Sequence, residues 1–190
     1  MTSAFDRLRA AQRASGSLVS VGLEPAAKYM PPCFEATIAG YRAFLESIVE
    51  AAEGSCAAFK LNVAFFESLG TEGFELMHEV REMVPPTTLL IADAKRGDIL
   101  TTAEHYARAI YEELGADSTT VNPLMGHDAV EPFLAYRDSL TFVLALTSNP
   151  SAKDFLLEHD LYLRIAEQVA AWNGRDAVHS GLVVGATRPE

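Results

Sequence analysis

Positive charge is in short supply in this 190-residue chain: 15 Lys and Arg stand against 26 Asp and Glu, a formal net charge of -11. So acidic a chain argues against non-specific binding to nucleic acid, but leaves room for an anionic ligand in a locally basic site. Cysteine is scarcer still. Cys33 and Cys56 are the only two, and their spacing suits neither a metal site nor a redox pair, which fits a reduced cytoplasmic compartment. No apolar run approaches the roughly 18 residues of a membrane span. Met1 to Ala14 carries Asp6, Arg7, Arg9 and Arg13 and lacks a signal-peptide core. No Gly-x-Gly-x-x-Gly turn follows the first strand-like segment, which counts against a dinucleotide-binding sheet.

What is present is ordinary globular composition, 49% apolar and 22% charged, in a chain long enough for one sizeable core. Strand-like and helix-like segments alternate along it. Apolar runs predict strands at Ser17–Gly22, Cys56–Leu61, Thr87–Asp93, Asp117–Val121, Leu140–Leu146 and Gly181–Ala186. Helical spacing predicts helices at Phe34–Glu53, Phe65–Met83, Ile99–Leu114, Asp128–Tyr136 and Asp160–Trp172. Gly54 and Gly115 stop two of them, Asp128 is a candidate N-cap, and Gly70 and Gly73 weaken the second. Repeated strand–helix units with near-continuous apolar strands imply a parallel sheet with helices outside. The expected fold is α/β, a (β/α)8 TIM barrel with about six of its eight units in residues 1–190, read as one domain; an open doubly wound sheet is the alternative. Polar residues gather just after the strands, among them Glu24, Lys60, Asn62, Asp93, Lys95, Asn122, Ser148, Asn149 and Thr187. In a barrel of this kind that end is the active face.

The densest chemistry lies in Ile91-Ala-Asp-Ala-Lys-Arg-Gly-Asp-Ile99, where Asp93, Lys95, Arg96 and Asp98 follow an apolar strand. Alternation puts Asp93 and Lys95 on one face if strand geometry persists. A carboxylate and an ammonium side by side at the mouth of a buried strand are costly unless the site uses them. Plainer readings exist for each residue. Asp98 could cap the helix that follows, Thr101-x-x-Glu104 fits a capping box, and Asp93 with Lys95 could be a structural ion pair. Lys60 alone reads as a solvated strand-end lysine, and Ser148-Asn149-Pro150 as a turn. Arg96 reads as a surface or partner-facing residue, and Met125 and Phe65-Phe66 as packing. His127 beside Asp128 is at most a weak metal signal, and His78, His105, His159 and His179 show no ligand spacing.

Asp93-x-Lys95-x-x-Asp98-Ile99-x-x-Thr102 resembles the signature of the orotidine 5'-phosphate decarboxylase family. Val21-Gly22-Leu23-Glu24-Pro25 is similar to the family's first strand, and Phe59-Lys60-Leu61-Asn62 to its second, with the active-site lysine. Val121-Asn-Pro-Leu-Met-Gly-His-Asp128, Thr147-Ser-Asn-Pro150 and Gly181-Leu-Val-Val-Gly-Ala-Thr187 resemble segments of the longer bacterial subfamily. The resemblance implies decarboxylation of orotidine 5'-monophosphate to uridine 5'-monophosphate, without a cofactor or metal. It implies Lys95 as general acid, Asp93 and Asp98 beside the leaving carboxylate, and Lys60 completing an alternating row of charges. Glu24, Asn62, Thr102, Ser148 and Asn149 would bind substrate, Glu24 standing near the ribose where the family usually has aspartate. The family implies a homodimer, with Asp98 and Thr102 supplied across the interface, and phosphate-binding loops after two further strands beyond Thr187–Glu190. Related magnesium-dependent sugar-phosphate lyases share the Asp-x-Lys-x-x-Asp pattern but have an acidic residue where Lys60 stands. A catalytically silent partial barrel that binds nucleotide is the reading from another class.

Overall fold

The computed structural model describes residues 2–173 and 179–187; residues 188–190 of the terminal Thr187-Arg-Pro-Glu190 segment lie outside them. The chain runs α1 (Ala4–Ser15), β1 (Ser20–Leu23), α2 (Ile38–Ala52), β2 (Ala58–Asn62), α3 (Val63–Glu67), α4 (Gly70–Met83) and β3 (Leu89–Arg96). It continues through α5 (Leu100–Arg108), β4 (Ser118–Val121), α6 (Glu131–Leu134), β5 (Leu140–Leu146), α7 (Leu161–Asn173) and β6 (Ser180–Val184). The six strands form one parallel sheet in chain order, β1 to β6. That is the order of a barrel wall, and it removes the doubly wound alternative, whose strand order reverses at a switch point.

Strand alternation sorts the side chains into two environments. Phe59, Leu61, Leu90, Ala92, Val121 and Val143 meet the helices in the main core, against Tyr41, Leu45 and Val49 of α2, Leu76 and Val80 of α4, and Ile165 and Val169 of α7. The stripes Tyr41–Leu45–Val49 and Leu76–Val80 follow the helical repeat, so each helix presents one apolar face to the sheet. Burying a side chain such as Phe59 or Leu90 completely stabilises by about 1.5–3 kcal/mol. The intervening residues Ala58, Leu89, Ile91, Leu140 and Phe142 form a second, smaller cluster with Ala4, Phe5 and Leu8 of α1.

Helix α1 therefore lies across the N-terminal ends of β2, β3 and β5. Ser3 caps it, its hydroxyl accepting from the Asp6 amide, and Gly16 ends it in a left-handed conformation. The Ala4 amide donates to the Asp138 carbonyl, and Arg7 pairs with Asp117 at 2.6 Å. Asp117 in turn accepts from the Leu90 amide. The sequence patterning does not predict this helix, Ala4–Ser15.

Several expected boundaries move, for identifiable reasons. The second helix is two helices: α3 ends, Gly70 takes φ +67, and α4 begins. A β-carbon at Gly73 would stand 2.0 Å from the Phe66 carbonyl oxygen, so this glycine permits the close approach of α4 to α3. The helix expected over Ile99–Leu114 is α5 followed by a π-turn at Ala109–Glu113. Asp98 is not its cap: Ile99 holds that position, with no side-chain cap, and Thr101 and Glu104 both lie inside the helix. Asp128 is not a cap either, because it falls within a short 3-10 turn, His127–Ala129. Phe34 stays in the loop before α2, its ring edge-on to Phe44 at 5.4 Å. Phe66 is fully buried, as a packing residue should be, whereas Met125 is 56% exposed and packs little.

Candidate active site

The C-terminal ends of β1 to β3 bring together four of the charged side chains that the sequence singles out. Glu24 follows β1, Lys60 sits on β2, and Asp93 and Lys95 on β3. Lys60 aligns with Gly22 on one side and Ile91 on the other, and Asn62 with Asp93, so Lys60 starts two residues below Asp93 on the neighbouring strand and reaches it along its long side chain. Lys60 and Asp93 lie on the same side of the sheet as Ala58, Leu89 and Ile91, above the apolar cluster that α1 closes from the opposite end.

The resulting geometry is a row of alternating charge. Lys60 Nζ stands 3.5 Å from Glu24 Oε1 and 3.3 Å from Asp93 Oδ2. Lys95 Nζ donates to Asp93 Oδ1 at 2.6 Å. Asp93 is the buried member, 11% exposed against 47% for the Lys95 side chain. Burial pushes the Asp93 carboxyl up; hydrogen bonds from Lys95 and Thr120 and the charges of Lys95 and Lys60 more than offset this, leaving it below the usual carboxylate range.

Sequence reasoning missed Thr120. Its hydroxyl donates to Asp93 Oδ1 at 2.8 Å and accepts from the Lys95 backbone amide at 2.9 Å. That amide is available because the β3–β4 register shifts between Ala92 and Arg96. Lys95 has φ +47, a conformation costly for a residue with a β-carbon. Strand geometry therefore does not persist through Lys95, yet its side chain still meets Asp93.

The other expected site residues fall outside this row. Asn62 caps α3, its Oδ1 accepting from the Ala64 amide. Asp98 Oδ1 accepts from the Ile99 amide, and Thr102 is exposed on α5; neither bonds to Lys60, Asp93 or Lys95. Ser148 and Asn149 lie in the exposed turn after β5, where Asn149 Oδ1 accepts from Thr147 and the Ser148 carbonyl from Thr187. A β-carbon on Gly185 would come within 2.8 Å of the Ser148 backbone, so glycine keeps the ends of β5 and β6 together there. Arg96 is partly exposed, and it pairs with Glu67 and lies 4.8 Å over the Tyr106 ring. His127 faces Glu131 at 3.8 Å and the Trp172 ring. Among the described residues, no group of three or more His, Cys, Asp or Glu side chains is placed to hold a metal ion. Nor, among them, is any helix long and apolar enough to cross a membrane.

A parallel sheet in barrel order, with converging acids and cations at its C-terminal edge, defines an α/β-barrel enzyme. A profile of the orotidine 5'-phosphate decarboxylase / HUMPS family matches residues 17–190. The orotidine 5'-phosphate decarboxylase of Dehalococcoides mccartyi is 40% identical over 194 residues, covering 98% of this chain and 69% of its own length. The structure of the Leishmania donovani OMP decarboxylase superposes with a TM-score of 0.87 at 39% identity, over 99% of this chain and 72% of that one. The UMP synthase of the same organism gives 0.87 at 40% identity, over 98% of this chain but only 40% of the larger protein. The chain belongs to the orotidine 5'-phosphate decarboxylase family, a family of carboxy-lyases.

The depressed Asp93 has a measurable consequence. A carboxyl with a folded-state pKa below its unfolded value, near 3.9, adds stability that is present above that value and lost as pH falls through the folded pKa. Wild type should thus lose an increment of stability below about pH 4 that Asp93→Asn does not lose. Urea unfolding of both proteins from about pH 3 to about pH 7 checks this; parallel curves would refute it.

Proposed function

We propose that this chain carries the centre that decarboxylates orotidine 5'-monophosphate to uridine 5'-monophosphate, a step of pyrimidine nucleotide biosynthesis. The observation that carries the reading is the bridge made by Asp93 between Lys60 and Lys95 at the mouth of the sheet. In this reaction the bond from a ring carbon to the carboxylate breaks, and the electron pair stays on the ring carbon. No adjacent carbonyl delocalises that pair, so catalysis must stabilise a localised carbanion-like centre and protonate it. The Lys95 ammonium is a compact cation that supports both tasks, and the proton it delivers becomes the new ring C–H. Lys95 is half exposed, so solvent can return the proton after each turnover. Two unit charges ~4 Å apart interact by about 4 kcal/mol at an effective dielectric near 20. Charges fixed before the reaction act without reorganising during it, which is where such terms matter most.

The remaining roles follow the family pattern. Asp93 and a second carboxylate, Asp98, flank the leaving group. Glu24 meets the ribose, and Ser148 the pyrimidine, with Asn62, Thr102 and Asn149 completing substrate contacts. Asp98 and Thr102 do so from the neighbouring subunit of a homodimer. Their separation from the Lys60–Asp93–Lys95 row supports this, as does the exposure of Ile99 (46%) and Leu100 (63%) between them. Lys95→Ala and Asp98→Ala should each lower turnover at least a hundredfold. Mixed and allowed to exchange subunits, the two should regain up to about a quarter of wild-type activity, because each mixed dimer has one intact and one doubly damaged site. Full exchange without recovery would refute the shared site, and retention of more than about a tenth of turnover by Lys95→Ala would refute the role of Lys95.

The domain is one barrel, of which the six described strands form part of the wall; two further strands join β6 to β1 and carry the phosphate-binding loops. The exposed Leu182 and Val184 on β6 support this, as does the 69% span of the chain on the D. mccartyi protein. Remote phosphate contacts supply binding energy realised at the reacting centre. A version extended to the relatives' length should exceed the 190-residue chain in turnover by orders of magnitude; equal rates at matched concentration would refute this. The cytoplasm is the compartment that suits an exposed free thiol, Cys33. Recovery with a cytoplasmic marker on cell fractionation is the expected result, and recovery with membranes or medium the contrary one.

A further inference from the structure

We propose that Thr120 is a positioning residue of the decarboxylation centre: its hydroxyl holds the Asp93 carboxylate and the Lys95 backbone in their reactive arrangement. The proposal rests on the functional reading above and deepens it.

Three observations converge. Thr120 is buried, 5% exposed as a residue, so its hydroxyl has little access to water and is satisfied by protein partners. It finds two, and both belong to the charged row: it donates to Asp93 Oδ1 and accepts from the Lys95 amide. The second bond falls where the β3–β4 ladder breaks and where Lys95 takes φ +47. An amide that leaves a ladder inside a sheet needs another acceptor, and here a side chain from the next strand supplies it. One hydroxyl thereby offsets the backbone strain at the proposed acid and fixes the oxygen to which that acid's ammonium is bonded.

Thr120 touches no reacting atom in this arrangement, which separates it from Lys95 and Asp93. Its neighbour Thr119 provides an internal contrast. That hydroxyl is also buried, but it donates to the Ala92 carbonyl, away from the charges. The groups facing the Asp93 carboxylate are Lys60 from β2, with Glu24 behind it, Lys95 from β3 itself and the Thr120 hydroxyl from β4. Among these, only Thr120 is uncharged, so removing it leaves the formal charge of the centre intact.

The test replaces the hydroxyl at nearly constant volume, Thr120→Val, and restores it with Thr120→Ser; Thr120→Ala is a second hydroxyl-free variant should valine not fold, and Thr119→Val is the control. Two quantities are measured: the titration midpoint of the Asp93 carboxyl by carbon NMR, and kcat and KM for decarboxylation. Without the hydroxyl, the midpoint should rise by about half a pH unit or more, because a hydrogen bond to the charged form is gone. Turnover should fall at least about tenfold, a difference of about 1.4 kcal/mol, with KM held within about twofold. Thr120→Ser should restore both quantities, and Thr119→Val should leave both unchanged. An unshifted Asp93 midpoint in a folded hydroxyl-free variant overturns the proposal. So does a serine variant that behaves like valine, or a Thr119→Val effect of equal size. Turnover is measured in the version extended to the relatives' length; if that version with wild-type Thr120 releases no carbon dioxide from orotidine 5'-monophosphate, the functional reading fails, while the NMR titration still decides whether Thr120 positions Asp93.

Discussion

The arrangement at the mouth of the sheet depends on one carboxylate, Asp93, whose side chain is 11% exposed. Asp93 accepts from Lys60 on one oxygen and from Lys95 and Thr120 on the other, so three strands meet at a single side chain. Half-buried lysines from adjacent strands would repel each other without it, and Asp93 itself would be expensive to bury without them. The burial cost falls mainly on Asp93, while Lys60 and Lys95 keep part of their hydration; their charges offset that cost. Glu24 extends the alternation to β1, which spreads the centre over four consecutive strands.

The sheet makes this possible by dividing labour between its ends. At the N-terminal end, Ala4, Phe5 and Leu8 of α1 close the interior against Ala58, Leu89 and Leu140, and Arg7 pairs with Asp117. At the C-terminal end, the same alternating positions, one step further along β2 and two along β3, carry Lys60 and Asp93, and Lys95 joins them from the irregular end of β3. Leu89, Ile91 and Asp93 thus share a face but serve different ends. An apolar, helix-capped base lets the opposite mouth hold charge, because the base supplies the burial that the mouth gives up.

What could be read from the sequence follows from the same division. The strands were legible because buried parallel strands are continuous apolar runs, and β5 lies where the run Leu140–Leu146 predicted it. The charged residues were legible because Asp and Lys at the end of such a run are unusual. Thr120 was not, since a threonine in Ser118-Thr-Thr-Val121 is also what strand propensity alone would choose, and only the register shows which hydroxyl meets Asp93. Capping side chains are a poor guide to helix starts here: Asp128 lies inside a short 3-10 turn before α6, and the plainer reading of Asp98 as a cap gives way to Ile99 at that position. The break at Gly70 shows a similar limit, because the apolar spacing of Phe66, Met77 and Val80 runs through two helices as readily as one.

The left-handed backbone at Lys95 sets this centre against simple optimisation of the fold. At φ +47 a glycine would relieve the steric strain that lysine bears. Selection for stability alone would therefore drift toward glycine at position 95, and toward silence in the chemistry proposed for it. Under the role proposed for Lys95, retaining lysine there exchanges folding free energy for an ammonium held against Asp93, a stability–activity compromise located at one residue. On that proposal, a stability gain obtained at position 95 would come at the expense of the ammonium that pairs with Asp93.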